Sequence, residues 1–168
     1  MKIKRLFLAA LAALSTTLPA QARVDSGTQA LLAEIQRQGI TLHIDSHRCK
    51  TEDIYGSFIF AGDNTEMHLC PANTASDDKA AATVRHEAMH AIQRCININR
   101  GTAFNTPVLS VEELRQHVNT YLSSERVEFI KRVYQRGHWL IEFEAALAEE
   151  QMSADQIRKH LVNTCGRM

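Results

Sequence analysis

Residues 76–95 constrain the fold of this chain of 168 residues more than any other stretch. Ser76 followed by Asp77 and Asp78 is typical of a helix N-terminus, because a serine side chain caps the first turn and acidic side chains favour the positive end of the helix dipole. The segment that follows is rich in alanine, is apolar along one side and contains neither glycine nor proline. We therefore predict a long helix from about Asp77 to about Cys95 that lies at the centre of the fold.

Two histidines on this predicted helix, His86 and His90, are four residues apart. Side chains at this spacing lie on the same helical face, so both imidazole rings can bind one metal ion. Glu87 follows the first histidine, where its carboxylate can reach a metal-bound water molecule without being a ligand itself. We expect His86 and His90 to bind zinc and Glu87 to act as a general base.

A second informative segment, residues 138–149, reads as a helix that is mostly apolar yet carries Glu142 and Glu144. Carboxylates among apolar neighbours are costly to bury unless they are paired or bind a cation. A catalytic zinc ion usually has three protein ligands and an open position, so one of these glutamates is the candidate third ligand. The two differ by about 200° around a helix, and only one can face the metal.

The HExxH pattern at residues 86–90, followed about fifty residues later by EFEA at residues 142–145, resembles the gluzincin branch of the zinc metallopeptidases. The resemblance implies a zincin-like fold, a Zn²⁺ cofactor and hydrolysis of peptide bonds in protein or peptide substrates. It also implies Glu142 as the third ligand, because Ala145 then matches the small residue three places on. Many gluzincins have Asp or Asn one place further, to orient a ligand histidine, where this chain has Ala146.

Hydrolysis also requires a donor that stabilises the developing oxyanion. Tyr134 and His138 precede Glu142 by eight and four residues. A continuous helix would place all three on a similar face, which makes Tyr134 and His138 the candidates. Gly137 is the residue at which such a helix would be interrupted.

The first 22 residues have the features of a secretory signal peptide. Three of the first five residues are basic, residues 6–18 form an almost unbroken apolar run, and residues 19–22 end in a small-x-small cleavage site. A run of about thirteen apolar residues is shorter than a membrane-spanning helix requires. We therefore predict a signal peptide at residues 1–22.

The remaining residues, 23–168, are predicted to form one exported domain, periplasmic or secreted, without a stable membrane anchor. Removing the leader takes away three of the 19 basic residues and none of the 19 acidic residues, so the mature chain is mildly acidic. This balance gives no indication of a nucleic-acid partner.

Four cysteines, Cys49, Cys70, Cys95 and Cys165, all lie in the predicted exported part. An even number in an oxidising compartment indicates two disulfides, for which three pairings exist. We favour Cys49 with Cys70, because they bracket a predicted hairpin, and Cys95 with Cys165, which ties the end of the central helix to the C-terminus. No two cysteines have the C-x-x-C spacing of a structural zinc site.

Strand-like patterns occur at residues 40–44, 54–60 and 66–70, and a turn sequence at residues 62–64 predicts a hairpin between the last two. The expected fold is α+β and zincin-like, with a small antiparallel sheet or hairpin beside several helices. Peptidase substrates commonly add an extended strand to a sheet edge. Residues 66–69 are the candidate edge, and the alternative is that they only close the sheet.

Capping-box sequences at Ser110 and Ser153 predict the starts of two further helices. The other histidines show no ligand spacing, and we expect them to be surface or packing residues: His43, His47, His68, His117 and His160.

The favoured function is that of an exported zinc-dependent metallopeptidase with Glu87 as general base. The alternative is a non-enzymatic secreted binding or inhibitor module, in which the motif is accidental or holds a structural metal. A third possibility is a peptidase scaffold that has lost its activity. The role of Glu87 separates these hypotheses, because a binding module tolerates its loss and a hydrolase does not.

Overall fold

The structure, a computed structural model, describes residues 24–61, 64–101 and 106–166. The predicted signal peptide at residues 1–22 and the turn residues Gly62 and Asp63 lie outside these ranges. Among the helices described, none combines the length and apolar character needed to cross a membrane.

The described chain has an α+β architecture, as predicted, with seven α-helices and three β-strands. Their bounds are α1 (Ser26–Arg37), β1 (Thr41–Ile44), α2 (His47–Thr51), β2 (Gly56–Ala61), β3 (Asn64–Leu69), α3 (Asp77–Arg100), α4 (Val111–Tyr121), α5 (Ser124–Val133), α6 (Trp139–Gln151) and α7 (Ala154–Cys165). Short 3-10 helices precede α3 and α6. The predicted capping boxes at Ser110 and Ser153 are both formed.

The sheet has the strand order β1-β3-β2, with β3 antiparallel to β2 and parallel to β1. The expectation of an antiparallel sheet is therefore wrong for one pair, because β1 takes the side of β3 that the hairpin leaves open and runs in the same direction. The proposed edge at residues 66–69 is also wrong. These residues belong to the central strand, which pairs on both sides, and β2 is one of the two edge strands of the described sheet.

The two faces of β3 have different surroundings. Met67 and Leu69 point into the main core, whereas Glu66 and His68 alternate with them and lie on the opposite face. The core continues into α1, α3 and α7, whose side chains include the fully buried Leu31. A second apolar cluster joins α4, α5 and α6. Helix α6 contributes side chains to both clusters and therefore connects them.

Helix α3 begins as predicted, since the Ser76 side chain accepts a hydrogen bond from the Lys79 backbone N–H. It continues five residues beyond the predicted end at Cys95, to Arg100. Asn97 lies in this extension and is 2% exposed. The helix ends only where Gly101 adopts the left-handed conformation, with φ of 62°.

Both favoured disulfides are present: Cys49 pairs with Cys70 and Cys95 with Cys165. The first joins α2 to the end of β3, and the second joins α3 to the end of α7. Two disulfides indicate an oxidising, exported location for the chain.

The Cys95–Cys165 disulfide closes a segment with a sequence separation of 70 residues, against 21 for Cys49–Cys70. From loop-closure entropy alone, we expect Cys95→Ser/Cys165→Ser to lower the free energy of unfolding by about 4 kcal/mol and Cys49→Ser/Cys70→Ser by about 3 kcal/mol. Urea unfolding of both double variants and of the oxidised wild type measures this. A loss below about 1 kcal/mol in the first variant would contradict the expectation.

Candidate metal centre

His86 and His90 lie on α3, and Glu142 lies in the first turn of α6, where the two helices pack together. The two histidine Nε2 atoms point at one carboxylate: His86 Nε2 is 3.4 Å from Glu142 Oε2 and His90 Nε2 is 3.6 Å from Glu142 Oε1. All three side chains are buried. Their candidate ligand atoms lie within 4.8 Å of one another, so a single cation can contact all three.

These separations fit a metal site better than a hydrogen-bonded cluster. Distances of 3.4 and 3.6 Å are long for a hydrogen bond between nitrogen and oxygen. Two ligands that are each about 2.1 Å from a tetrahedral zinc ion lie about 3.4 Å apart. Glu142 Oε2 is buried and has no hydrogen-bond partner among the described residues. The buried His/Glu group can therefore hold a metal ion.

The other nitrogen of His86 is held by Glu149, one of the residues that the sequence analysis missed. His86 Nδ1 is 3.2 Å from Glu149 Oε2, and an ionised carboxylate can only accept, so Nδ1 carries the proton and Nε2 is directed at Glu142. Lys79 and Arg126 form ion pairs with the same carboxylate. Glu149 follows Glu142 by seven residues, two helical turns, and that spacing was the available signal.

His90 is oriented by Gln93, the second missed residue. His90 Nδ1 donates to Gln93 Oε1 at 2.8 Å, and Gln93 Nε2 donates to Glu144 Oε2 at 2.9 Å. The orientation of the two histidines thus depends on Glu149 and Gln93. Ala146, at the place where many gluzincins have an orienting Asp or Asn, has no side-chain group that could hold a histidine.

Glu144, the alternative third ligand, faces away from the histidine pair. Its carboxylate accepts backbone N–H groups from Val108 and Leu109 at 2.9 and 2.8 Å. Together with the Gln93 amide, these donors satisfy a buried carboxylate without a metal ion. Glu144 therefore fixes the segment before α4, and Glu142 alone joins His86 and His90.

The electrostatics of the cluster favour a positive charge between the histidines and Glu142. Burial lowers the pKa of His86, but contacts with Glu142 and Glu149 outweigh burial and raise that pKa to about 10. Burial and the charge of His86 lower the pKa of His90 to about 4, so His90 is a neutral imidazole with a lone pair to donate. The carboxylates stabilise a cation and His90 offers it a neutral ligand.

Glu87 is buried beside the start of β2. Burial is the main cause that raises the pKa of Glu87 to about 7. The positive charge of His86 lowers this pKa, and the negative charges of Glu142 and Glu149 raise it. Its place depends on Gly56, since a Cβ atom there would lie 2.8 Å from Glu87 Oε1 and 2.7 Å from Thr83 Cγ2. Glycine at position 56 therefore allows Glu87 to lie against the strand.

The two candidate oxyanion donors lie near this cluster, but not on one continuous helix. Helix α5 ends at Val133, and α6 begins at Trp139. Burial and the charges of Glu142 and Glu87 raise the pKa of the Tyr134 hydroxyl, which keeps it protonated and able to donate. His138 is exposed, and its charge contributes to the low pKa of His90.

We expect Glu149→Gln to weaken Zn²⁺ binding by about 10- to 100-fold, because the amide loses the charge that orients and polarises His86. The measurement is competition with a chromophoric chelator, with thermal unfolding as a check of the fold. Glu150→Gln, the adjacent and exposed glutamate, is the matched control and should bind Zn²⁺ within about twofold of the wild type. Equal affinities in the two variants would exclude the assigned role of Glu149.

Comparisons of the chain with protein-family models, with curated protein sequences and with solved structures found no match. The functional interpretation therefore rests on the geometry of the candidate metal centre.

Proposed function

We propose that the protein is an exported zinc-dependent metallopeptidase of gluzincin type, with a zincin-like fold and a periplasmic or secreted location. The observation that carries this proposal is the convergence of His86, His90 and Glu142, with Glu87 adjacent to the first histidine. Two imidazoles and one carboxylate form a donor set typical of catalytic zinc. The disulfides and the predicted signal peptide support export, and a protein or peptide substrate follows from the proposed chemistry.

The chain's own residues supply the proton transfers of hydrolysis. Zinc bound by His86, His90 and Glu142 would supply a Lewis acid that activates water and polarises the scissile carbonyl. Glu87, with a pKa near neutrality, accepts the proton of the attacking water and then donates it to the leaving amine. The Tyr134 hydroxyl, protonated at neutral pH, is the favoured donor to the developing oxyanion, with exposed His138 as the alternative.

Strand β2 is the proposed guide for an extended substrate. It is an edge strand of the described sheet and passes the site, since Gly56 lies against Glu87 and the Phe58 ring centroid is 6.5 Å from that of His90. A peptide that adds to this edge pairs its backbone with β2 and brings a carbonyl towards Glu87. This assigns to β2 the role first considered for residues 66–69.

The primary test compares wild type with Glu87→Gln on a broad peptide library, using oxidised protein loaded with Zn²⁺. We expect Glu87→Gln to keep one zinc ion at this centre and to lose about 10²- to 10⁴-fold in kcat/KM, because the amide cannot accept the proton. Cleavage is followed by mass spectrometry and zinc by elemental analysis.

Two further variants separate metal binding from proton transfer. Glu142→Ala should lose zinc at this centre together with hydrolysis, whereas exposed Glu128→Gln on α5 should keep both. A wild type without zinc at this centre, or unchanged hydrolysis by Glu87→Gln, contradicts the peptidase. Zinc binding without any hydrolysis by the wild type would favour the binding module or the inactive scaffold.

Gly56→Ala tests the placement of Glu87 without changing a ligand. The added methyl group displaces Glu87 or Thr83, so we expect kcat to fall by about 10- to 100-fold while zinc content is unchanged. Gly137→Ala is the control, because a Cβ atom there meets nothing within 4 Å. If Gly56→Ala turns over at the wild-type rate, the strand does not determine where Glu87 lies.

A further inference from the structure

A second group of metal-binding side chains lies on the sheet. The parallel register pairs His43 of β1 with His68 of β3, and Glu66 precedes His68 by two residues, so all three side chains emerge on one face. With 25 positions between them, the two histidines show no ligand spacing in the sequence, which predicted surface or packing roles for both. Only the pairing of β1 with β3 brings them together.

Their distances match those of ligands around one ion. Glu66 Oε2 is 3.1 Å from His68 Nε2 and 3.6 Å from His43 Nε2. The two imidazole rings stack with centroids 4.5 Å apart and an interplanar angle of 15°. All candidate ligand atoms lie within 4.8 Å of one another. The 3.6 Å separation is typical of two ligands on one tetrahedral ion, whereas the 3.1 Å separation between Glu66 and His68 is a hydrogen bond that a bound cation would replace.

Two unsatisfied polar atoms point to a missing partner on this face. His43 Nε2 is buried and has no hydrogen-bond partner among the described residues, and the same is true of Ser57 Oγ. Ser57 pairs with His68 across the β2–β3 ladder, so its hydroxyl lies on the same face as the cluster. A cation between the histidines would satisfy His43 Nε2. The Ser57 hydroxyl, on the same face, is a candidate further oxygen ligand for that cation.

His68 is prepared for metal binding by a contact from the start of α2. Ser46 Oγ lies 3.0 Å from His68 Nδ1, an arrangement that fixes the ring and leaves Nε2 directed at Glu66. The turn that presents Ser46 follows Asp45, which has a φ of 46°. The adjacent Cys49–Cys70 disulfide anchors α2 against the end of β3. Ser46 thus orients the His68 ring through its Nδ1 atom, as Glu149 orients the His86 ring.

We propose that His43, Glu66 and His68 form a second metal site, for a divalent cation of the zinc class, on the face of the sheet opposite the first centre. Two imidazoles and one carboxylate suit zinc, copper or nickel rather than magnesium or calcium. About two fifths of the His43 and Glu66 side chains is exposed, at 38% and 41%, so the group lies next to solvent, with His43 Nε2 itself covered.

The two sites are separated by the sheet. Phe58 pairs with Met67 on the core face and contacts His90, whereas Ser57 and His68 are paired on the outer face. An ion at the outer site crosslinks β1 to β3, the one parallel pair of the described sheet. This site needs no catalytic activity at the first centre, and it does not depend on the proposed peptidase function.

The test counts zinc ions per chain by equilibrium dialysis of the oxidised protein against Zn²⁺, with elemental analysis. We expect two in the wild type, one in His43→Gln/His68→Gln and one in His86→Gln/His90→Gln. His47→Gln, an exposed histidine at the start of α2, is the matched control and should keep two. Retention of the first-centre zinc by His43→Gln/His68→Gln also reports that this variant is folded.

Glu66→Gln provides a second measurement that preserves side-chain volume. It should weaken the outer site by about tenfold or more, with little effect at the first centre, and Co²⁺ absorption distinguishes the two sites. One zinc ion in a wild type whose first centre is intact, or two in His43→Gln/His68→Gln, would overturn the proposal. Each double variant removes the ligands of one site only, and the readout is the number of zinc ions, not activity. A result that contradicts the outer site can therefore be distinguished from one that contradicts the peptidase.

Discussion

Burial of ionisable side chains between α3 and α6 is the constraint on which the rest of the structure depends. His86, Glu87, His90, Glu142 and Glu149 are all withdrawn from solvent, and charged groups in such a place require compensating partners. The partners come from α3, α5 and α6. Lys79 and Arg126 neutralise Glu149, and Gln93 links His90 to Glu144. The helix packing and the polar network therefore depend on each other.

Sequence patterns with a period of one or two helical turns predicted a large part of this arrangement. The cap at Ser76, the histidine pair and the capping boxes all follow from local spacing, and so the helices were accessible. The choice of Glu142 over Glu144 came from the resemblance to gluzincins. The disulfide pairing was predicted because Cys49 and Cys70 bracket the hairpin. Apart from the Cys95–Cys165 disulfide, which spans 70 residues, such features depend on few long-range contacts.

Features that depend on pairing between distant segments were not predicted. The position of β1 beside β3 is set by the shape of the whole core, and nothing in residues 41–44 specifies a parallel neighbour. The grouping of His43 with His68 was missed for the same reason. Glu149 and Gln93 were missed because their function is to orient other side chains, and a single carboxylate or amide on a helix has many possible partners.

The several contacts of Glu149 have a consequence for how the protein can vary. This one carboxylate joins α6 to α3 through His86 and to α5 through Arg126. A change at position 149 therefore affects the packing of three helices together with the orientation of a histidine. Metal affinity and the packing of these helices are therefore coupled at this one position.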